Sequence, residues 1–287
     1  MRTDGRPRQR EGLVPRDVVR VVTSGTVTSG ASLDDATPTL LGAAVRRGDT
    51  DAVALADVST GEVRMASGQA AIEELLRSEP AELLLEDRAL APSAGTTPVR
   101  VRPQMPDMEA DALVARSFGE HAGESLVANG TEAAALAHVL AYLQETFPDA
   151  LKALQRVRPL SDSPVLALDS RTLRNLDVFS TEGRHSLFGA LNDCRTAMGA
   201  RTLRDWLQRP LRDREVLEAR HDAVEWAIAH PMELERATEV LRQVPDAARP
   251  AVGRRSVSPR ELHAMRSGLR ALLDLGATFG EAEIPAP

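Results

Sequence analysis

Residues Ala167–Leu211 read ALDSRTLRNLDVFSTEGRHSLFGALNDCRTAMGARTLRDWLQRPL, and the rest of the chain is best read outward from them. The apolar positions recur at helical spacing in three short runs: Leu173, Leu176 and Phe179; then Leu187, Phe188 and Leu191; then Met198, Leu203, Trp206 and Leu207. Thr172 is placed to cap the first run, Glu182-Gly183 breaks the pattern before the second, and Pro210 removes the N–H that a fourth turn of the last helix would need. Periodicity alone predicts a helical core with arginines on its wet face, a pattern shared by many soluble proteins.

The residue identities go further. Leu-Asp-x-x-Thr-x-x-Asn-Leu at Leu168–Leu176, Ser-Leu at Ser186, Thr-x-Met-Gly at Thr196–Gly199 and Leu-Arg-x-Trp-Leu-x-x-Pro-Leu at Leu203–Leu211 occur in one order. Together they resemble the core (lever) domain of the MutS family of DNA mismatch-repair proteins. Upstream, DVVRVVTSGT and ALADVSTGEVRM resemble that family's connector, an α/β domain of ribonuclease-H-like fold. Where the family carries an Asn-rich turn before the second strand, this chain has Thr37-Pro38-Thr39.

The local patterns support such a two-part chain. Residues 1–13 are polar and aperiodic and are expected to be a disordered lead-in. Val18–Val22 read as a strand closed by Thr23, Ser24 and Gly25. Ala52–Asp57 and Val63–Ala66 flank Ser59-Thr60-Gly61 as a hairpin. Ile72, Leu75 and Leu76 mark a short helix, and Glu82–Glu86 and Val99–Arg102 mark further strands. An α/β domain over 14–103 is therefore expected, with a linker at 104–106 where Pro103 and Pro106 disfavour helix.

Beyond the linker the chain reads as helical over 107–276, with a weakly patterned tail over 277–287. Thr131 is placed to cap a helix with Leu136, Val139, Leu140 and Leu143 on one face, closed by Phe147-Pro148. Asp213 is placed to cap a helix whose apolar face includes Val216, Leu217, Val224, Ala227 and Ile228, ended by His230-Pro231. Ser258-Pro259-Arg260-Glu261 is a capping box that predicts a helix burying Leu262, Met265, Leu269 and Leu272.

Composition bounds the function classes. With 43% apolar and 27% charged residues in 287, the chain is long enough for a core and has the make-up of a soluble globular protein. It has no run of apolar residues long enough to span a bilayer, so no membrane association and a cytoplasmic location are expected. A net charge of −7 argues against an independent grip on DNA, which needs clustered cations. A single cysteine, Cys194, excludes an internal disulfide.

Several places could carry specific chemistry. A nucleotide-hydrolysing loop needs glycines before Gly-Lys-Ser/Thr, but the sole lysine, Lys152, lies in Ala-Leu-Lys-Ala. A ribonuclease-H-type nuclease would gather carboxylates around Asp57, with Glu62, Glu86 and Asp87 near strand ends. The competing reading has Asp57 hydrogen-bonding its own turn. His121, His138, His185, His221, His230 and His263 lack metal-ligand spacing, and His138 is expected at an exposed or boundary position. Ser186 beside His185 is a poor nucleophile–base pair, since sequence neighbours do not face each other on a helix. Arg195, Arg201, Arg204, Arg209, Arg212 and Arg214 form a basic run that could face DNA. The stronger expectation has their stems bracketing Trp206 and Leu207.

The resemblance implies that this chain corresponds to the connector and the first part of the lever. It lacks counterparts of the family's mismatch-reading domain with its Phe-x-Glu motif, its clamp and its ATPase. The expected role is therefore structural and partner-docking, with no catalytic, cofactor, metal or DNA-binding residues of its own and no enzymatic activity. ATP and Mg²⁺ belong to the full-length family. Expected partners are a MutL-type protein or a complementary MutS chain, with DNA met only inside a larger assembly. The alternatives are the metal-dependent nuclease around Asp57 and a non-functional truncated remnant.

Overall fold

A computed structural model of the chain describes residues 21–27, 37–91, 97–118, 130–154, 156–160, 165–166, 168–179, 185–246 and 258–279. The expected lead-in at 1–13, the strand residues Val18 and Val19, and His121 lie outside them.

The first half is built on one mixed sheet. Its strands are β1 (Leu40–Arg47), β2 (Thr50–Asp57), β3 (Glu62–Ser67), β4 (Glu82–Leu85), β5 (Val99–Val101) and β6 (Arg156–Pro159), in the order β5-β4-β1-β2-β3-β6. β1, β2 and β3 run antiparallel to their neighbours, while β4 lies parallel to β1, β5 to β4 and β6 to β3. The first five strands have the ribonuclease-H-like arrangement that the resemblance implied. Val21 and Val22 are exposed and form no strand; the segment instead enters a short 3-10 turn at Ser24–Thr26.

Helix α1 (Gln69–Ser78) covers one face of the sheet, where Ala71 and Leu75 meet Ala44, Val53, Leu55, Ala66, Leu83 and Leu85. The other face carries α2 (Asp107–Phe118), α3 (Gly130–Thr146) and the single turn α4 (Pro148–Leu151), packed on Leu41, Ala43, Val45, Ala52, Ala54 and Ala56. A sheet covered on both faces needs apolar residues at every position, which is why β1 and β2 are continuous apolar runs rather than alternating ones. Burial is just as complete along α3, where residues 133–137 are all inaccessible or nearly so because the sheet lies on one side and α2 on the other.

Helices α2, α3 and α4 share the core of the sheet. This packing corrects one expectation: His138, expected at an exposed or boundary position, is 3% exposed, because it lies on the stretch of α3 enclosed by the sheet and α2.

The β2–β3 hairpin is as expected, and its turn requires Gly61. The residue has φ +76°, and a Cβ there would sit 2.0 Å from the Ala153 carbonyl oxygen.

The second half is helical: α5 (Ser170–Asn175), α6 (Leu187–Leu191), α7 (Ala197–Gln208), α8 (Arg214–Ala229), α9 (Pro231–Arg242) and α10 (Pro259–Phe279). Three caps are local. Ser186, Thr196 and Asp213 accept from the backbone N–H groups of Gly189, Gly199, and Glu215 with Val216. The first helix of the deciding stretch is capped by Asp169, which accepts from Thr172 N at 2.7 Å, rather than by Thr172 itself. Its carboxylate, held below the ordinary range by the bonds from Thr172, stands three residues earlier, where it meets the N3 amide. The capping box at Ser258 and Glu261 forms in both directions.

Burial here departs from expectation. Leu262, Leu269 and Leu272 on α10, and Val224 and Ile228 on α8, are exposed, as are Met232 and Leu273. No described element covers these side chains, so amphipathic spacing produced helices without burying all of their apolar positions. The tail expected from 277 begins as the last residues of α10, which runs to Phe279.

Candidate functional site: a buried ionic joint between sheet and helices

The two halves meet where the end of α1 faces the end of α7. Glu74, Arg77 and Ser78 lie on one side, and Asp205, Gln208 and Arg209 on the other. In the Leu203–Leu211 motif these last three are the positions left open, whereas the specified leucines and proline shape the backbone that presents them. Glu74, with a side chain 3% exposed, accepts from Arg77 Nη1 at 2.7 Å, from Ser78 Oγ at 2.6 Å and from Arg209 Nη2. Arg209 also donates to Asp205, one turn back on α7. Arg64, on β3, donates to Asp205 at 2.8 Å, and Gln208 donates to the Arg77 carbonyl at 2.8 Å. Arg77 reaches the Leu168 carbonyl at 3.1 Å.

Such a joint is specific rather than strongly stabilising. Taking charges out of water costs several kcal/mol per ion, an expense repaid only where every lone pair and proton finds a partner. Glu74 comes near that condition, with three donors on two oxygens, while Arg209 keeps a buried Nε without an acceptor. Backbone contacts frame the same place: Val165 bridges Leu211, and Leu166 N donates to the Pro210 carbonyl at 2.8 Å. A cavity of about 310 Å³ lies alongside, between α1, β6 and the α7–α8 corner.

The remaining candidates resolve residue by residue. Asp57 is 5% exposed, and its Oδ1 accepts from Ser59 N at 2.8 Å and Ser59 Oγ at 2.6 Å, while its carbonyl accepts from Gly61 N. Its carboxylate is thus engaged by its own turn. Glu62 faces Arg64 and Arg158, and Asp87 accepts from Ala89 N. Among the described residues, no group of three or more His, Cys, Asp or Glu could hold a metal ion.

Ser186 caps α6 rather than meeting His185. Cys194 is exposed, with its thiol held up by partial burial and then by Asp193, which disfavours the reactive thiolate.

Most of the basic run is engaged, though not as expected. Arg195 pairs with Asp193, Arg201 with Asp246 and Arg214 with Glu218, while Arg204 lies over the Phe179 and Phe188 rings. The arginine on Trp206 is Arg220, 3.6 Å from the ring centroid and one helix away. It escaped sequence reading because helical spacing within α7 cannot show what α8 brings to the same indole.

Inside the sheet domain, Glu86 forms a second buried cluster, accepting from Arg47, from Met105 N at 3.1 Å and from His138 Nε2 at 2.7 Å. Burial raises its carboxyl pKa, but Arg47, His138 and Met105 together outweigh that and hold it below the ordinary range. Glu82 behaves alike: burial opposes Thr23, Tyr142, Arg100 and Gly25 N, and the donors prevail. A carboxyl lowered on folding contributes stability above its unfolded pKa and loses it as pH falls through the folded value. Unfolding stability is therefore expected to drop steadily below pH 4.5, the ordinary glutamate value. Glu86→Gln should flatten that slope, as followed by urea unfolding at stepped pH; an unchanged slope would remove Glu86 from the account.

Two family models match the chain in succession: MutS domain II over residues 39–155 and MutS domain III over 171–286. The DNA mismatch repair protein MutS of Thermus aquaticus is 37% identical over 281 residues, covering 95% of this chain and 33% of that protein. MutS of Syntrophobacter fumaroxidans is 33% identical over 302 residues, covering 97% and 34%. With its sheet domain and helical region matching domains II and III in order, the chain belongs to the MutS family. It spans about a third of the length of these relatives.

Proposed function

We propose that the chain serves DNA mismatch repair as a MutS-type connector and partial lever, a mechanical and docking element without chemistry of its own. The observation that carries this reading is the ionic joint of Glu74, Arg77, Asp205 and Arg209, which ties the sheet domain to the motif-bearing helix α7. A buried contact held by several hydrogen bonds suits transmission of movement between two bodies. We place the division between those bodies after Leu160, because β6 still pairs with β3 and the helices before it share the sheet's core.

The exposed apolar side chains of α8 and of α10 support the docking half of the reading, since exposed apolar surface can mark interaction sites. The relatives are named for mismatch repair, and the proposed partners are a MutL-type protein or a complementary MutS chain. Those would supply DNA grip and ATP hydrolysis with Mg²⁺, no cofactor being assigned to these residues. No described helix is long and apolar enough to cross a membrane, and a cytoplasmic site of action fits repair of DNA in a bacterial-type cell.

The test is direct. The purified 287-residue chain is expected to bind a MutL-type partner or a complementary MutS chain in a pull-down, while neither hydrolysing ATP nor preferring mismatched over matched duplex. Unaided ATP turnover or mismatch selection would overturn the proposal, as would failure to bind either partner.

A further inference from the structure

The cavity beside the joint holds cations that the joint leaves over. Arg64, Arg77 and Arg209 are committed to Glu62, Glu74 and Asp205. Arg220 is not: its guanidinium rests on Trp206, its Nε is buried without a hydrogen-bond acceptor, and no described carboxylate pairs with it. Arg158 reaches Glu62 only at 3.9 Å, too long for a hydrogen bond, and its side chain is 66% exposed. Arg209, though 7% exposed, also keeps a buried Nε without an acceptor. The one competing acid left on the wall is Glu73, which accepts from Gln69 at 3.3 Å.

We infer that this cavity between α1, β6 and the α7–α8 corner binds a small oxyanion of the phosphate class, with Arg220 and Arg158 as its ligands. Guanidinium forks match tetrahedral oxyanions and are weakly hydrated, so an arginine held against an indole and lacking a carboxylate is already arranged for such a guest. Buried N–H groups without acceptors at the same place point the same way, because buried donors are normally satisfied by protein, water or an ion. A volume of about 310 Å³ exceeds that of a single water and admits a phosphate or pyrophosphate. The inference stands apart from the repair role: it needs only the cavity and its arginines.

Trp206 reports on the site. In a Trp226→Phe background of the full chain, the indole left is the one beneath Arg220. Pyrophosphate titrated at constant ionic strength should give a saturable fluorescence change, with phosphate weaker. Arg220→Gln should weaken binding by about tenfold or more, the loss of one charge-assisted contact. Should Arg220→Gln alter the circular dichroism, the exposed Arg158→Gln decides instead, with an expected loss of several-fold. A response reproduced by sodium chloride at matched ionic strength, or a variant that titrates like its parent, would overturn the site.

Discussion

Arg209→Met is expected to destabilise the chain by about 3 kcal/mol and to separate the unfolding of the sheet domain from that of the helices. Removing one partner of a buried ion pair costs about 3–5 kcal/mol because the other charge stays buried. The lower end applies here, since Glu74 keeps Arg77 and Ser78. Urea unfolding followed by tryptophan fluorescence, both indoles lying in the helical part, and by far-ultraviolet circular dichroism checks both parts. Coincident transitions with a loss under about 1 kcal/mol would show that the joint is ornamental. The double variant Glu74→Gln/Arg209→Met should lose less than the two single variants summed, as the residues share one network.

Leu136→Ala is the second large effect, at about 2–5 kcal/mol, the range for emptying a fully buried leucine site. Leu136 has no accessible surface and stands on α3 against the sheet. The location of the damage is as informative as its size. Because α3 belongs to the sheet's core, amide exchange should speed up in β1 and β2 while α8 and α10 keep their rates. Damage confined to α7–α10 would mean that α3 belongs with the later helices, and would restore a division at 104–106.

Both outcomes turn on long-range packing, which local sequence specifies only in part. The hairpin around Gly61, the helix α1 and the caps at Asp213 and Ser258 rest on contacts within a few residues, and local sequence specifies them. The strands β1 and β6 escaped notice for definite reasons. Leu-Leu-Gly-Ala-Ala-Val is rich in residues depleted from strands and shows no alternation, because both of its faces are buried. Arg156–Pro159 is a four-residue edge strand that exists only because β3 offers it a partner, and its proline suits an edge. The candidate site divides in the same way. The Leu203–Leu211 motif marked the right segment, but Arg209 looked like one more arginine in a basic run until α1 brought Glu74 to it across 135 positions.

By itself, then, the sequence determined the family, the order of an α/β part followed by helices, the lack of a nucleotide loop around Lys152, and the caps at Asp213 and Ser258. Only the tertiary structure decided which helices belong to the sheet, which apolar stripes stay uncovered, and which arginines are paired. The physical reason is range. Caps, turns and periodicity act over a few residues, whereas burial and charge pairing depend on what a distant segment places alongside.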